Sequence, residues 1–270
     1  MLPGLGVGLG YRAELHDLIV ANRDSIDFLE VVTEQFIRRG AEPLARALDL
    51  HDRFPLIPHG VDLSIGTAAG TDEAYVSDLC EFVDLVGAPW FSDHLAFTRV
   101  PDANIGQLTQ LWFTEESLDV VCRNVRRLKA RTNTPFLLEN ITYYFTLPRA
   151  EMTEAAYFSR VLEDTDCGML LDVNNVHINS VNLGFDPYEF IDALPLERVV
   201  QIHLAGGQRI GNMIVDTHNT RVREEVWDLL QYVLAKAPVK GIVLEWDQDF
   251  PEFSVLLQEL DRARCAMAHR

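Results

Sequence analysis

The chain repeats one pattern: a short apolar run, then a His, Asp or Glu, then a stretch with helical spacing. Phe136-Leu137-Leu138-Glu139-Asn140-Ile141 shows it most clearly. Consecutive apolar residues suit a strand buried on both faces of its sheet, and a carboxylate arrives where that strand emerges. Residues 26–32, 55–60, 90–94, 168–172, 199–203 and 241–245 follow the same pattern. Residues 214–218 read as a short seventh strand or a loop. Between these runs, residues 13–22, 41–52, 71–86, 114–129, 153–162, 187–193, 221–237 and 254–268 predict helices. Leu44, Ala47 and Leu48, for example, fall at i, i+3 and i+4. Thr71 and Thr114 are placed as N-caps, each followed by two acids. The glycine-rich residues 5–12 are expected to be a flexible lead-in passing near one end of the fold. Their glycines alternate and no strand precedes them, so they do not form a dinucleotide-binding fingerprint.

Strands and helices thus alternate about eight times, with no linker or low-complexity segment between them. That order implies parallel βαβ units and an α/β fold. A single closed (β/α)8 TIM barrel over residues 1–270 is predicted, close to the typical size of about 250 residues. Functional side chains in such barrels gather at the C-terminal strand ends. Here those ends carry His59, His94, Glu139, Asp172, His203, Asp216, His218 and Glu245.

One histidine at a strand end is ordinarily a satisfied core or loop residue. Four of the eight histidines at such ends, with Glu139, Asp172 and Glu245 beside them, form a different case. Crowded carboxylates raise one another's pKa, and an unpaired buried carboxylate is costly. Arg127, Lys129 and Arg131 precede the Glu139 strand and belong to its other end. Two or three divalent cations are therefore expected at the mouth, with Glu139 as the bridge. Imidazole and carboxylate without thiolate suit Fe, Mn or Zn. Asn175 is a candidate oxygen ligand for a third ion, with His177 as the alternative; Asn174 reads as an Asx turn. Asp93 and Asn140 are adjacent to ligands and so point the other way along a strand, supporting the ligands from behind. Asp247 lies two residues after Glu245 and is the candidate base of the pocket.

Composition narrows the function classes. Hydrophobic residues make up 48% of the chain, enough for a large core. A formal net charge of -18 disfavours nucleic acid and anionic membranes as partners, but leaves cations and basic peptides. Cys80, Cys122, Cys167 and Cys265 are widely spaced, as expected of reduced thiols in a cytoplasmic protein. Neither a signal peptide nor a run long enough for a membrane span is found.

Several short motifs carry a resemblance. They are G-x-G-L-G-Y-R, D-F-L-E-V-V-T-E, P-H-G-V-D-L-S-I-G, S-D-H-L, L-L-E-N-I, L-L-D-V-N-N-V-H, Q-I-H-L-A-G, V-D-T-H and L-E-W-D, spread from about Gly6 to Pro251. Together they resemble the multinuclear non-haem iron-dependent oxidative enzymes (MNIOs), a family with a barrel of the xylose isomerase-like type. The resemblance implies one iron on His59, His94 and Glu139, and a second on Glu139, Asp172, His203 and Glu245. It implies a third, partly occupied, on Asn175, Asp216 and His218. It further implies O2 as co-substrate, a mixed-valent iron pair, and oxidation of residues, often Cys, in ribosomally made precursor peptides. A separate leader-binding partner protein is expected, because the chain has no spare length for such a domain. The rival expectations are an endonuclease IV-like phosphodiesterase, a divalent-metal sugar isomerase and a metal-binding accessory protein. The first needs a basic face; the second lacks a lysine at the strand ends, Lys240 being at the wrong end.

Overall fold

The computed structural model describes residues 2–100 and 103–269. The expected domain limits, 1 and 270, lie outside the described residues. In chain order the first elements are β1 (Gly6–Gly10), α1 (His16–Ala21), β2 (Leu29–Val32), α2 (Ala41–His51), β3 (Leu56–His59), α3 (Glu73–Leu85) and β4 (Phe91–His94). A hairpin, β5 (Phe97–Val100) and β6 (Ala103–Thr109), precedes α4 (Glu115–Lys129), β7 (Phe136–Glu139), α5 (Glu154–Thr165) and β8 (Gly168–Asp172). Then come α6 (Val173–Leu183), α7 (Pro187–Asp192), β9 (Val199–Leu204), a second hairpin of β10 (Gly207–Ile210) and β11 (Met213–Asp216), α8 (Glu224–Leu234), β12 (Gly241–Leu244) and α9 (Phe253–Ala268). Eight parallel strands close a barrel in the order β1-β12-β9-β8-β7-β4-β3-β2.

Strand side chains alternate between faces, and the alternation sorts the barrel into two cores. Outward residues such as Leu29, Phe91, Leu138, Leu171, Ile202 and Leu244 pack in the large core with helix residues such as Val83, Leu118 and Val121. Inward residues Phe28, Ile57, Trp90, Leu137, Leu170 and Val243 form a separate plug inside the barrel. Two residues further along, the inward positions become Glu30, His59, Ser92, Glu139, Asp172 and Glu245, all buried. The floor is therefore apolar and the layer above it is polar.

The closed barrel agrees with the prediction, but two segments differ from it. The glycine-rich opening is β1, a full barrel strand paired with β12 and β2. Its glycines occupy inward positions, where a side chain would collide: a Cβ at Gly8 would lie 2.7 Å from the Phe28 carbonyl oxygen and 2.8 Å from the Phe28 ring. Phe28 fills the space that β1 leaves open, so β1 shows only Val7 and Leu9 as apolar signal. Residues 214–218, conversely, are not a barrel strand. Met213–Asp216 pairs antiparallel with β10, outside the barrel. At the start of α3 the cap is Asp72 rather than Thr71, its carboxylate accepting from the N–H groups of Ala74 and Tyr75. Thr114 caps α4 as expected, accepting from Ser117 N–H.

Gly8→Ala is expected to destabilise the fold by about 1–3 kcal/mol through overpacking against Phe28. Urea titration checks this; an unchanged midpoint would mean that Phe28 yields freely.

Candidate metal centre

Strand register brings the sequence-distant ligand candidates to one level. His94 pairs with Glu139 across β4 and β7, and Asp172 pairs with His203 across β8 and β9. His59 ends β3, and Glu245 follows β12 with its N–H donating to Leu204 O at 2.8 Å. Above them opens a cavity of about 500 Å³ lined by Arg12, His59, His94, Glu139, His218 and Glu245, among others.

Two groups share Glu139. His59, His94 and Glu139 offer ligand atoms within 4.8 Å of one another, and so do Glu139, Asp172, His203 and Glu245. Glu139 Oε2 lies 3.5 Å from His59 Nε2 and 3.3 Å from His94 Nε2. Its Oε1 lies 3.1 Å from His203 Nδ1, which is also 3.2 Å from Glu245 Oε2. The remaining ring nitrogens face outward to fixed partners: His59 Nδ1 to Ser92 Oγ at 2.8 Å, and His94 Nδ1 to Gly60 O at 3.2 Å. Metal-bound histidines are commonly held from behind in this way.

Two orphaned oxygens identify where positive charge fits. Glu139 Oε2 and Asp172 Oδ2 are buried and have no hydrogen-bond partner. Asp172 also caps α6: its Oδ1 accepts from Asn175 N–H at 2.7 Å, which leaves Oδ2 for the cluster. Asn140 fixes the end of β8, donating to Asp172 O and accepting from Asp172 N–H, both at 2.9 Å. Asp93 is similarly engaged, accepting from His94 N–H and Leu63 N–H. Both thus support the ligands from behind, as their strand parity suggests. The donor set of buried imidazoles and unpartnered carboxylates fits two divalent cations.

The electrostatics point the same way. Burial raises the Glu139 carboxyl, but His203, His94 and His59 outweigh it and hold the group below its ordinary range. Glu245 is held far below it against burial by His203 and His218. Asp172 is the exception: burial, then the Glu139 charge, push it well above the usual carboxylate range. Burial lowers His94, yet Glu139 and Asp93 lift it to about 9. His203 and His218 also stay well above an ordinary imidazole, through Glu245 and Glu30 for the first and Asp216 and Glu245 for the second, each against burial. Bound cations would take over the charge balance that protons on these rings otherwise provide.

The third predicted group is only partly assembled. His218 Nε2 lies 2.8 Å from Asp216 Oδ1, and its Nδ1 lies 3.2 Å from Asp247 Oδ2. Its backbone is left-handed, φ 45°, and Asp247 N–H holds its carbonyl at 2.7 Å. The Asn175 side-chain oxygen accepts from the Thr142 hydroxyl, which also reaches Asp216 Oδ2 at 3.2 Å. Asn174 donates to Asp216 Oδ1 at 3.2 Å. His177 does not join: it is absent from the cavity lining and experiences the charges of Glu225, Arg223 and Arg209 instead. Asp247 is exposed at the rim, its Oδ1 accepting from Arg12 Nε at 3.0 Å. Burial raises its carboxyl, but His218 and Arg12 bring it below the ordinary range.

Sequence reasoning missed Arg12, Thr142 and Glu30. Arg12 follows β1, whose alternating glycines hide it as a strand. Glu30 was legible as a lone acid among Leu29, Val31 and Val32.

A family model described as RiPP precursor modification enzyme MbnB/TglH/ChrH matches residues 6–268. The chain belongs to that family, the MNIOs. Relatives in sequence include a UPF0276 protein of Caulobacter vibrioides, 37% identical over 267 residues, covering 98% of this chain and 95% of that one. Another, UPF0276 protein Anae109_1558 of Anaeromyxobacter sp., is 36% identical over 259 residues, covering 96% and 92%. Among solved structures, D-psicose 3-epimerase from Clostridium cellulolyticum superposes with TM-score 0.60 at 12% identity, covering 98% of this chain and 97% of that one. Endonuclease IV from Thermus thermophilus gives TM-score 0.61 at 15% identity, covering 99% and 100%. These two likenesses establish the xylose isomerase-like barrel and nothing about activity.

Two outcomes are expected. A cation binds only neutral imidazole, so uptake below about pH 9 should expel the His94 proton. Apparent affinity should therefore rise with pH through the neutral range; calorimetry in buffers of differing ionisation enthalpy reads the released protons, and buffer-independent heats would contradict it. Glu139→Gln should lose metal from both groups, whereas His59→Ala should lose it from one, measured as metal per chain after anaerobic desalting.

Proposed function

We propose that this MNIO holds two irons on His59, His94, Glu139, Asp172, His203 and Glu245, with a weaker third position on Asn175, Asp216 and His218. With O2 as co-substrate it would oxidise residues, Cys foremost, of a ribosomally made precursor peptide. The observation that carries this reading is the pair of buried imidazole–carboxylate groups joined by Glu139 beneath an open cavity. Iron bound there would supply O2 activation and lower the pKa of a substrate thiol.

The chain's own groups have separable tasks. Ser92 and Gly60 aim the His59 and His94 rings. Asn140 and the α6 cap fix Asp172. The apolar plug beneath excludes water from the layer that holds the ligands. Asp247, exposed between Arg12 and His218, would accept a substrate proton and return it to solvent. Leu108 and Tyr144 line the cavity and are also exposed, giving a peptide backbone an apolar rim to lie on. A separate protein that grips the peptide leader belongs to the same proposal, and the net charge of -18 favours basic segments on such partners.

A cytoplasmic location is also proposed. Cys80, Cys122 and Cys167 are buried and unpaired, which suits a reducing compartment. Among the described residues, no helix is long and apolar enough to cross a membrane.

The decisive test combines anaerobically iron-loaded protein with a short Cys-containing peptide encoded beside its gene, and with any protein encoded between them. O2 uptake should accompany a change in peptide mass that Glu139→Gln abolishes. An unchanged peptide with full iron content would overturn the substrate assignment; failure to retain iron would overturn the whole reading.

A further inference from the structure

A line of buried polar groups runs from His203 in the ligand layer down to the apolar plug, and apart from the histidine the proposed chemistry does not use it. Trp90, Gln201, Glu30 and His203 are all 3% exposed or less. Trp90 Nε1 donates to Gln201 Oε1 at 2.7 Å. Gln201 Nε2 donates to Glu30 Oε2. Glu30 Oε1 and Oε2 lie 2.9 and 3.0 Å from His203 Nε2. The opposite ring nitrogen, Nδ1, faces Glu139 and Glu245.

Hydrogen-bond polarity runs in one direction along this line. An indole N–H can only donate, so it fixes the Gln201 amide with oxygen toward Trp90 and NH2 toward Glu30. Ionised, the Glu30 carboxylate can only accept. A lone pair on His203 Nε2 would then face two carboxylate oxygens, a repulsive arrangement in a dry interior. Nδ1 also faces carboxylates, of Glu139 and Glu245, so without metal both nitrogens can carry protons; once a cation takes the Nδ1 side, the one remaining proton must sit on Nε2 and the lone pair on Nδ1. Gln201 Nε2 also comes within 3.1 Å of His203 Nε2, because both donors converge on the same carboxylate.

We propose that Glu30 is a positioning residue for the metal centre: through the Trp90–Gln201–Glu30 line it fixes His203 as the tautomer that ligates by Nδ1. The inference rests on the metal-site reading above. It concerns a residue on β2, a strand that contributes no ligand of its own. Partners that orient a metal-bound histidine typically contribute about 10–100-fold in affinity.

Two substitutions separate polarity from packing. Glu30→Gln keeps the side chain's size but can present an N–H to His203 Nε2, which favours the wrong tautomer. Glu30→Asp shortens the side chain but remains acceptor-only. Co(II) titration followed by its visible d–d bands should show Glu30→Gln losing about 10–100-fold at one of two sites, with Glu30→Asp closer to the parent. The reverse order, or equal losses at both sites, would indicate a packing role and overturn the proposal. Melting curves of the metal-free variants check that they fold. The unaltered protein supplies an independent measurement: with 15N-labelled histidine and Zn(II), the signal assigned to His203 by its loss in His203→Asn should show metal on Nδ1 and a proton on Nε2. Metal on Nε2 would overturn the proposal whatever the variants do. If the unaltered protein binds neither Co(II) nor Zn(II), the metal-site reading fails, a result distinct from bound metal with an indifferent Glu30.

Discussion

A carboxylate almost wholly removed from water governs this structure. Glu139 is 2% exposed, and three imidazoles surround it: His59 and His94 at one oxygen, His203 at the other. A lone charge in that position would cost several kcal/mol. The arrangement is tolerable only because every strand that ends beside β7 contributes a group of complementary or shared charge. Remove the compensation and the strand ends repel one another; supply it with cations and the same residues become a ligand set. Fold stability and chemistry thus draw on one electrostatic balance.

That balance depends on strand parity. Leu137 and Glu139 share the inner face of β7, just as Leu170 and Asp172 share that of β8 and Val243 and Glu245 continue along β12. A shift of one residue in β7, β8, β9 or β12 would turn its acid or histidine out toward the helices and bring a leucine or isoleucine into the mouth. The apolar plug is therefore part of the site. It holds the register, and it keeps water from reaching the ligands from below. Low local polarity in turn strengthens each charge–charge contact in the layer above.

Most of this was legible in the sequence because buried parallel strands announce themselves as apolar runs, and their last inward residue carries the chemistry. Six barrel strands, β3, β4, β7, β8, β9 and β12, showed both signals; β2 showed the apolar run, but its Glu30 was not read as part of the site. β1 showed neither clearly, because its inward positions are glycines; the contact that explains Gly8, with Phe28, lies about twenty residues away. The hairpin strand β11 mimicked a barrel strand because Ile214 and Val215 sit beside Asp216, and its antiparallel partner β10 is polar apart from Ile210. His177 shows a different failure. It follows Asp172 closely in sequence, yet α6 begins immediately after the strand and turns the ring toward α8. Helix phase, absent from a list of nearby ligand types, decided it.

The neighbours in fold space sharpen the relation between scaffold and chemistry. At 12–15% identity, a sugar epimerase and an endonuclease share this barrel. A fold does not by itself decide function, which must follow from the side chains at the strand ends and what fixes their orientation. In this chain the orientation of His203 is set one layer down, by an indole in the apolar plug. Trp90 fills space among Ile57, Leu137 and Val243 and at the same time gives Gln201 its direction. A hydrophobic substitution there would keep the floor packed but leave the amide free to flip, and the histidine above it free to change tautomer. The core of this barrel accordingly carries chemical information as well as stability, and its polarity reaches the ligand layer through a single glutamate.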